Sequence, residues 1–405
     1  MELNNVLLGQ RLRAARENCG TSQDDVAQQL GLPRAAIARM EAGQRSVDTL
    51  ELAELARIYS RPVGYFFEAG PEQDSEDALV ALYRTIPGTE ETPERKRALA
   101  HLVEVCRIGA ELEAVLEQGR NSAPLAYEIP EPTSVADAVD QGTEVAEAER
   151  GRLELGAAPI ASLAELLTSQ GIWAAATELP DDVSGLFFRH KSVGLVVLVN
   201  NGHARARRRF SYAHEYAHAL LDRDRAISVS SVSNASQLIE TRANAFAAAL
   251  LLPARGVRAF LTSLNKGGAS REEHPVYDVA RNSQVSSRRR VLATSQSITP
   301  QDVAMLGHYF GVSYQATAYR LRSLGQLTHS ECQGLLTSES TGRAFLEATN
   351  LGKDFEAKDQ DSPELTHHVA HLAIEAFRRE EISRGRLLEV ARTLGLSGRK
   401  LVEAA

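Results

Sequence analysis

Between Leu8 and Phe67, apolar residues recur at spacings of three and four, broken by turn signals. This predicts five short helices, over about 8–18, 22–30, 33–41, 47–59 and 62–67. A charged segment at 93–117 carries an apolar stripe of Leu99, Leu102, Val103, Cys106, Ile108, Leu112 and Leu116 and predicts a longer helix. Helical periodicity resumes at 135–155 and 160–170. GIWAAATEL (171–179), GLFFRH (185–190) and VGLVVLV (193–199) read as strands, with Asn200, Asn201 and Gly202 supplying a turn. Two strongly patterned helices follow, at about 208–222 and 236–251, the second ended by Pro253. After a polar stretch at 264–275, the rest reads as mostly helical to Ala405, with a flexible interruption at 351–364. The fold class expected is mainly α with a small β-sheet (α+β).

Boundaries come from composition. PEQDSED (71–77) is acidic and starts with proline, and NSAPLAYEIPEPTS (121–134) holds three of the 14 prolines and reads as an extended connector. The expected division is a helical domain at 1–70, a helical linker region at 71–134, a second core at 135–260 and a helical C-terminal region at 261–405. An apolar fraction of 43% and a charged fraction of 24% are those of a globular protein. The N-terminus carries charges throughout and lacks a secretory h-region, and no stretch reaches the length of apolar residues that a membrane span needs. The protein is therefore expected in the cytoplasm, without a membrane partner. Cys19, Cys106 and Cys332 are few, odd in number and far apart, so they read as buried free thiols. A formal charge of −8 excludes a surface that coats nucleic acid, but leaves room for one local basic face.

The first domain contains such a face. Helix 24–30 ends at Gly31, Pro33 opens the next helix, and Val26, Ala27, Leu30, Leu32, Ile37 and Met40 fall where the two would pack. A helix, a short turn and a second helix form the unit that places one helix in a DNA major groove. Through Gln23-x-x-Val-Ala, Gly31-Leu-Pro and Ile37-x-x-Met-Glu-x-Gly43, this region resembles the Xre-type helix-turn-helix family. The resemblance implies that Gln23 contacts phosphate, that Arg34, Ala35 and Arg39 face the bases, and that Arg45 reaches phosphate from the following loop. Residues 1–70 hold eight Arg and nine Asp or Glu, so the competing reading is a helical interaction module with a solvated arginine face.

The helix at 208–222 contains H-E-x-x-H at His214, Glu215 and His218. Residues four apart share a helix face, so both imidazoles can bind one metal while Glu215 reaches a water beside it. About 0.03 such motifs are expected by chance in a chain of this composition, which leaves a structural histidine pair well behind. The next helix offers Glu240 as a third ligand, and its Ala243, Ala245, Ala247, Ala248 and Ala249 would let it approach the first closely. Three protein ligands with one open position is the catalytic zinc arrangement, although the donor set also admits Mn²⁺ or Fe²⁺. Asp222 and Asn244 are placed to hold the second ring nitrogens of His218 and His214. Tyr212, His203 and His308 are candidate oxyanion supports. Arg205 and Arg207 to Arg209 could hold an acidic substrate segment, or form a solvated helix start.

From Ser184-Gly-Leu-Phe-Phe, through the H-E-x-x-H helix, to Glu240-Thr-Arg-Ala-Asn and Pro253, the sequence resembles the ImmA/IrrE family of zinc metallopeptidases. Members commonly carry a further histidine after the motif, where this chain has Leu221 and Asp222. The resemblance implies a zincin-like core, Glu215 as general base, and regulated cleavage of a transcriptional repressor in response to stress or induction. The partners expected are a double-stranded operator DNA and a protein substrate, which the resemblance implies is a transcriptional repressor; a homodimer is left open. The competing reading is a transcription factor whose metal domain senses a signal or binds a partner without cutting it.

Overall fold

The computed structural model describes residues 4–18, 21–59, 63–67, 93–116, 126–190, 193–223, 227–231, 237–266, 271–278, 283–290, 296–351 and 363–405. The acidic boundary at 71–77, most of the interruption at 351–364, and Cys19 lie outside them.

Four α-helices build the N-terminal domain: α1 (Asn5–Asn18), α2 (Gln23–Leu30), α3 (Arg34–Glu41) and α4 (Thr49–Ile58). The fifth expected helix is a single 3₁₀ turn, Val63–Phe66. Gly64 lies within this turn, and its short length holds Tyr65 and Phe66 against the core without needing an α-helical period. Local signals explain the boundaries. Ser22 and Asp25 cap α2 reciprocally, and Gly31 ends it in the left-handed region at φ 65°. Leu12, Val26, Ile37, Met40, Leu55, Tyr59 and Phe66 close a separate core.

The second body is built around a four-stranded sheet of order β1-β3-β2-β4, made of β1 (Ile172–Thr177), β2 (Val183–His190), β3 (Gly194–Asn200) and β4 (Ile227–Ser231). β1 runs parallel to β3, while β2 runs antiparallel to both β3 and β4. Alternation along the strands sends two sets of side chains into two cores. Phe187, Leu195, Val197 and Val199 enter one, with α6 (Val135–Arg152), α7 (Leu163–Ser169), α8 (Arg205–Leu221) and α9 (Leu238–Leu251). Trp173, Leu186, Phe188, Val196 and Leu198 enter the other. There they meet α5 (Pro93–Val115), α15 (Pro363–Arg378) and α16 (Arg384–Thr393). The sheet is covered on both faces, and α5, expected within a linker region, supplies part of the second layer. Its stripe residues Val103, Cys106, Ile108, Leu112 and Leu116 are buried, as is Val105.

Between these layers and the C-terminus run α10 (Ala254–Ser263), α11 (Pro300–Phe310), α12 (Tyr314–Ser323), α13 (His329–Thr337), α14 (Glu339–Ala348) and, last, α17 (Gly398–Ala404). Two β elements lie where no strand was expected. β4 is a short strand between the two patterned helices, in a stretch where Ile227 and Val229 alternate with serine. A hairpin of β5 (Arg271–Asp278) and β6 (Ser283–Arg290) interrupts the C-terminal region, where Pro275 excludes a continuous helix. The small residues of α9 also have a different main partner. Gly142 of α6 approaches so closely that a Cβ there would stand 2.3 Å from Arg242 O and 3.0 Å from Ala245 Cβ. Ala245, expected against α8, therefore meets α6. The end of the proline-rich connector is docked, because Tyr127 N–H donates to Leu220 O at 3.0 Å. Cys106 and Cys332 are buried and lie outside any disulfide among the described residues. Among the described residues no single helix is long and apolar enough to cross a membrane.

Trp173 fixes α5 to the sheet. Its indole N–H donates to Val193 O at 3.0 Å, and its ring fills the space a side chain at Gly109 would need, with Cη2 2.3 Å from an ideal Cβ. Gly109→Ala is expected to lower stability by about 1–3 kcal/mol through overpacking. Gly334→Ala, in an open position of α13, should leave it unchanged or slightly raised. Equilibrium urea unfolding of both variants checks this; equal midpoints would show that α5 does not rest on the indole.

Candidate metal centre and recognition helix

α8 is buried on nearly every face although it carries ionisable groups. His214, Glu215 and His218 are 6%, 0% and 0% exposed, and Glu240, in the first turn of α9, is 5% exposed. One turn of helix separates the histidines, and both turn Nε2 toward the same point. His214 Nε2 lies 3.2 Å from His218 Nε2 and 3.0 Å from Glu240 Oε2, while His218 Nε2 lies 3.6 Å from Glu240 Oε1. Their other ring nitrogens are occupied: His214 Nδ1 is 3.0 Å from Asn244 Oδ1 and His218 Nδ1 is 2.8 Å from Asp222 Oδ2. Both outer partners accept, so each Nδ1 carries the proton and each Nε2 presents a lone pair. Two lone pairs and a carboxylate oxygen converging in a dry interior repel unless a cation lies among them. Ligand atoms about 2.0–2.1 Å from a tetrahedral ion would stand roughly 3.3 Å apart, and the observed separations bracket that value. The donor set and its spacing fit a divalent cation, and these three residues form a group able to hold one.

A proton is the only cation the chain itself can place there. Burial would lower the pKa of His218, but hydrogen bonds to Asp222 and Glu240 and the nearby carboxylates outweigh it and push the value up to about 10. Burial would raise that of Glu240, yet hydrogen bonds from His214 and His218 bring it down to about 2.

Glu215 follows His214 on the helix and joins no ligand group. Burial pushes its carboxyl above the usual range; His214, His218 and the Ser230 hydroxyl oppose the shift, and none closes a hydrogen bond with it. Room for this side chain comes from β2. A Cβ on Gly185 would stand 2.7 Å from Glu215 Oε1 and 3.0 Å from its Cγ, and the pairing of β2 with β4 shifts register between Val183 and Gly185. A strand glycine beside a register shift signals close approach, but the sequence does not say to what.

Sequence reading missed the groups that hold the site together. Arg242, 2% exposed, donates to Asp222 Oδ1 at 2.6 Å and to Gln141 Oε1 at 3.2 Å, so α6 reaches His218 through two intermediaries. Glu149 of α6 accepts from Tyr216 of α8, from Tyr127 at 2.9 Å and from Arg152. The basic run at the start of α8 is divided, and only part of it forms the solvated helix start. Arg208 is buried, and Arg209 donates to Ile160 O, Ala161 O and Gly311 O at 2.6, 2.8 and 3.2 Å, which leaves Arg205 and Arg207 exposed. Tyr212 packs into the first core, His203 lies 3.4 Å from Asp181 O, and His308 sits in α11.

In the N-terminal domain, α3 exposes Arg34, Ala35 and Arg39. Arg34 lies 3.5 Å from Asp24, and Arg39 Nε donates to Ala35 O at 3.2 Å. Both arginines sit on solvent-facing positions where such pairs are weak. Gln23 and Arg45 are engaged within the domain: Gln23 Nε2 donates to Glu41 Oε2 at 2.8 Å, and Arg45 pairs with Glu51 at 2.7 Å.

Two regions match known families. Residues 7–63 match the helix-turn-helix domain, and residues 169–322 match the IrrE N-terminal-like domain, a peptidase family. The chain thus joins a helix-turn-helix domain to an IrrE N-terminal-like domain. No curated protein matches it.

Because the cation must displace the proton of His218, metal affinity should rise about tenfold per pH unit between about pH 6 and pH 9. Competition against a chromophoric chelator at several pH values measures this, and a flat profile would mean that His218 is neutral in the metal-free protein. For DNA, the Arg34→Ala/Arg39→Ala double variant should lose at least tenfold in operator affinity and relax base preference, with each arginine carrying about 1–3 kcal/mol. Unchanged gel-shift titrations would remove α3 from the interface.

Proposed function

We propose that this chain is a DNA-binding regulator whose IrrE N-terminal-like domain is a zinc-dependent endopeptidase acting on a partner transcriptional repressor when a stress or induction signal arrives. The observation that carries the reading is the division of labour on one helix turn. His214 and His218 converge with Glu240, while the buried carboxyl of Glu215 stands beside them and takes no part in the ligand triangle. A purely structural metal site has no use for an ionisable group kept dry in that position.

His214, His218 and Glu240 would hold the metal, Asn244 and Asp222 would fix the two imidazole tautomers, and Arg242 would fix Asp222. The bound divalent metal supplies Lewis acidity, which lowers the pKa of a water and polarises a carbonyl. Glu215 accepts the proton of the attacking water and passes it to the leaving amine. An elevated pKa suits that double duty, since the group must both take and release a proton near neutral pH. The substrate class follows from the sheet. β4 ends the strand order and brings Ser230 next to Glu215, and among the described residues nothing pairs with its outer edge. An extended peptide can add to such an edge through main-chain hydrogen bonds.

The recognition helix supports an operator-bound role, with Arg34, Ala35 and Arg39 facing base edges. Gln23 and Arg45 would reach phosphate by exchanging their bonds to Glu41 and Glu51.

Glu215→Gln separates the peptidase from a metal-dependent sensor. It preserves size and removes the base, so metal content, folding and operator binding should stay near those of the native protein. Cleavage of the repressor, followed by gel electrophoresis of the purified pair, should fall by at least a hundredfold. His214→Ala should lose both cleavage and most bound metal in elemental analysis. Induction that persists with intact repressor in a Glu215→Gln strain would overturn the peptidase reading.

A further inference from the structure

Away from the metal triangle, the first turn of α8 borders a groove of about 220 Å³ shared with the end of α11 and the 159–160 segment. Its charged lining is of one sign. Arg205 and Arg209 enter it from α8 and His308 from α11, and none of its lining residues is an Asp or Glu. Arg209 is anchored by three carbonyl oxygens and by no carboxylate. Carbonyl dipoles orient a guanidinium but do not neutralise it. Burial, together with Arg205 beside it, holds Arg209 down to about 10. Among the described residues no carboxylate pairs with these two adjacent guanidiniums, an unfavourable arrangement that a bound anion relieves. The rest of the lining is apolar and aromatic: it includes Pro159, Ile160 and Tyr309, a tyrosine that is 51% exposed.

We propose that this groove binds a small phosphate-bearing ligand. The arginine forks take the phosphate oxygens, and Tyr309 offers a face for a planar group attached to them. A single phosphate occupies only part of the groove, so a nucleoside monophosphate fits its two-part lining better than inorganic phosphate does. The site does not depend on the metal centre being a peptidase. It adjoins the helix that carries His214, Glu215 and His218, so occupancy is felt at the start of the element that holds the metal ligands.

Calorimetric titration of the full-length, metal-loaded protein with inorganic phosphate and with adenosine monophosphate tests the proposal. Saturable binding of both is expected, tighter for the nucleotide, with a rise in melting temperature. Arg205→Gln alters an exposed side chain and should leave the unliganded melting temperature unchanged while weakening both ligands at least tenfold. Tyr309→Ala should abolish the preference for the nucleotide and leave phosphate affinity as it was. The metal triangle and the DNA-binding domain could each attract phosphate, but neither is touched by Arg205→Gln. Equal affinity in the native and Arg205→Gln proteins, or no saturable binding, would overturn the assignment.

Discussion

A helix that carries two histidines and a glutamate into a dry interior needs partners for every polar atom it brings, and that requirement shapes the second body. Sheet and helices cover α8 from several sides, and each contributes specific groups. α9 supplies Glu240, Asn244 and Arg242; α6 supplies Gln141 and Glu149; the last turn of α8 ends at Asp222; β2 withdraws its side chain at Gly185. Removing any one would leave a buried charge or donor unpaired, at about 1–3 kcal/mol for a neutral group and more for an ion. The exception is Glu215, whose oxygens lack hydrogen bonds.

What could be read from the sequence is what depends on short-range spacing. The apolar stripe of α5, the β-branched run of β3 and the four-residue spacing of His214 and His218 are all local, and each appears in the structure near its expected position. Glu240 was legible because the next helix begins with the one carboxylate able to face back. Long-range relations were hidden. Nothing in the residues around Gly142 says that α9 will lie against it, and nothing around Gln141 identifies Arg242 as its partner 101 residues away. β4 is too short, and its serines too neutral, for period-two alternation to stand out. The β5–β6 hairpin carries charges where a strand usually shows apolar alternation.

The arginines make the same point. A run of basic residues at 205–209 reads as surface or substrate site because charge is normally solvated. In this fold Arg209 replaces missing backbone hydrogen-bond donors for three carbonyls, and Arg208 is buried beside it. In the N-terminal domain the sequence correctly separated the exposed face of α3 from its buried face. It could not foresee that Gln23 would be bound to Glu41, which also pairs with Arg16 at 2.6 Å.

The link from Arg242 through Asp222 to His218 has a consequence for ion selectivity. Around the triangle stand the carboxylates of Glu240 and Asp222 and the guanidinium of Arg242, a deficit of one positive charge that becomes two when the buried carboxyl of Glu215 ionises. A doubly charged ion cancels the deficit; a singly charged one leaves excess negative charge in a largely buried site, and a triply charged one overshoots. Valence is thereby screened by electroneutrality before coordination geometry or donor softness discriminates among elements of the same charge.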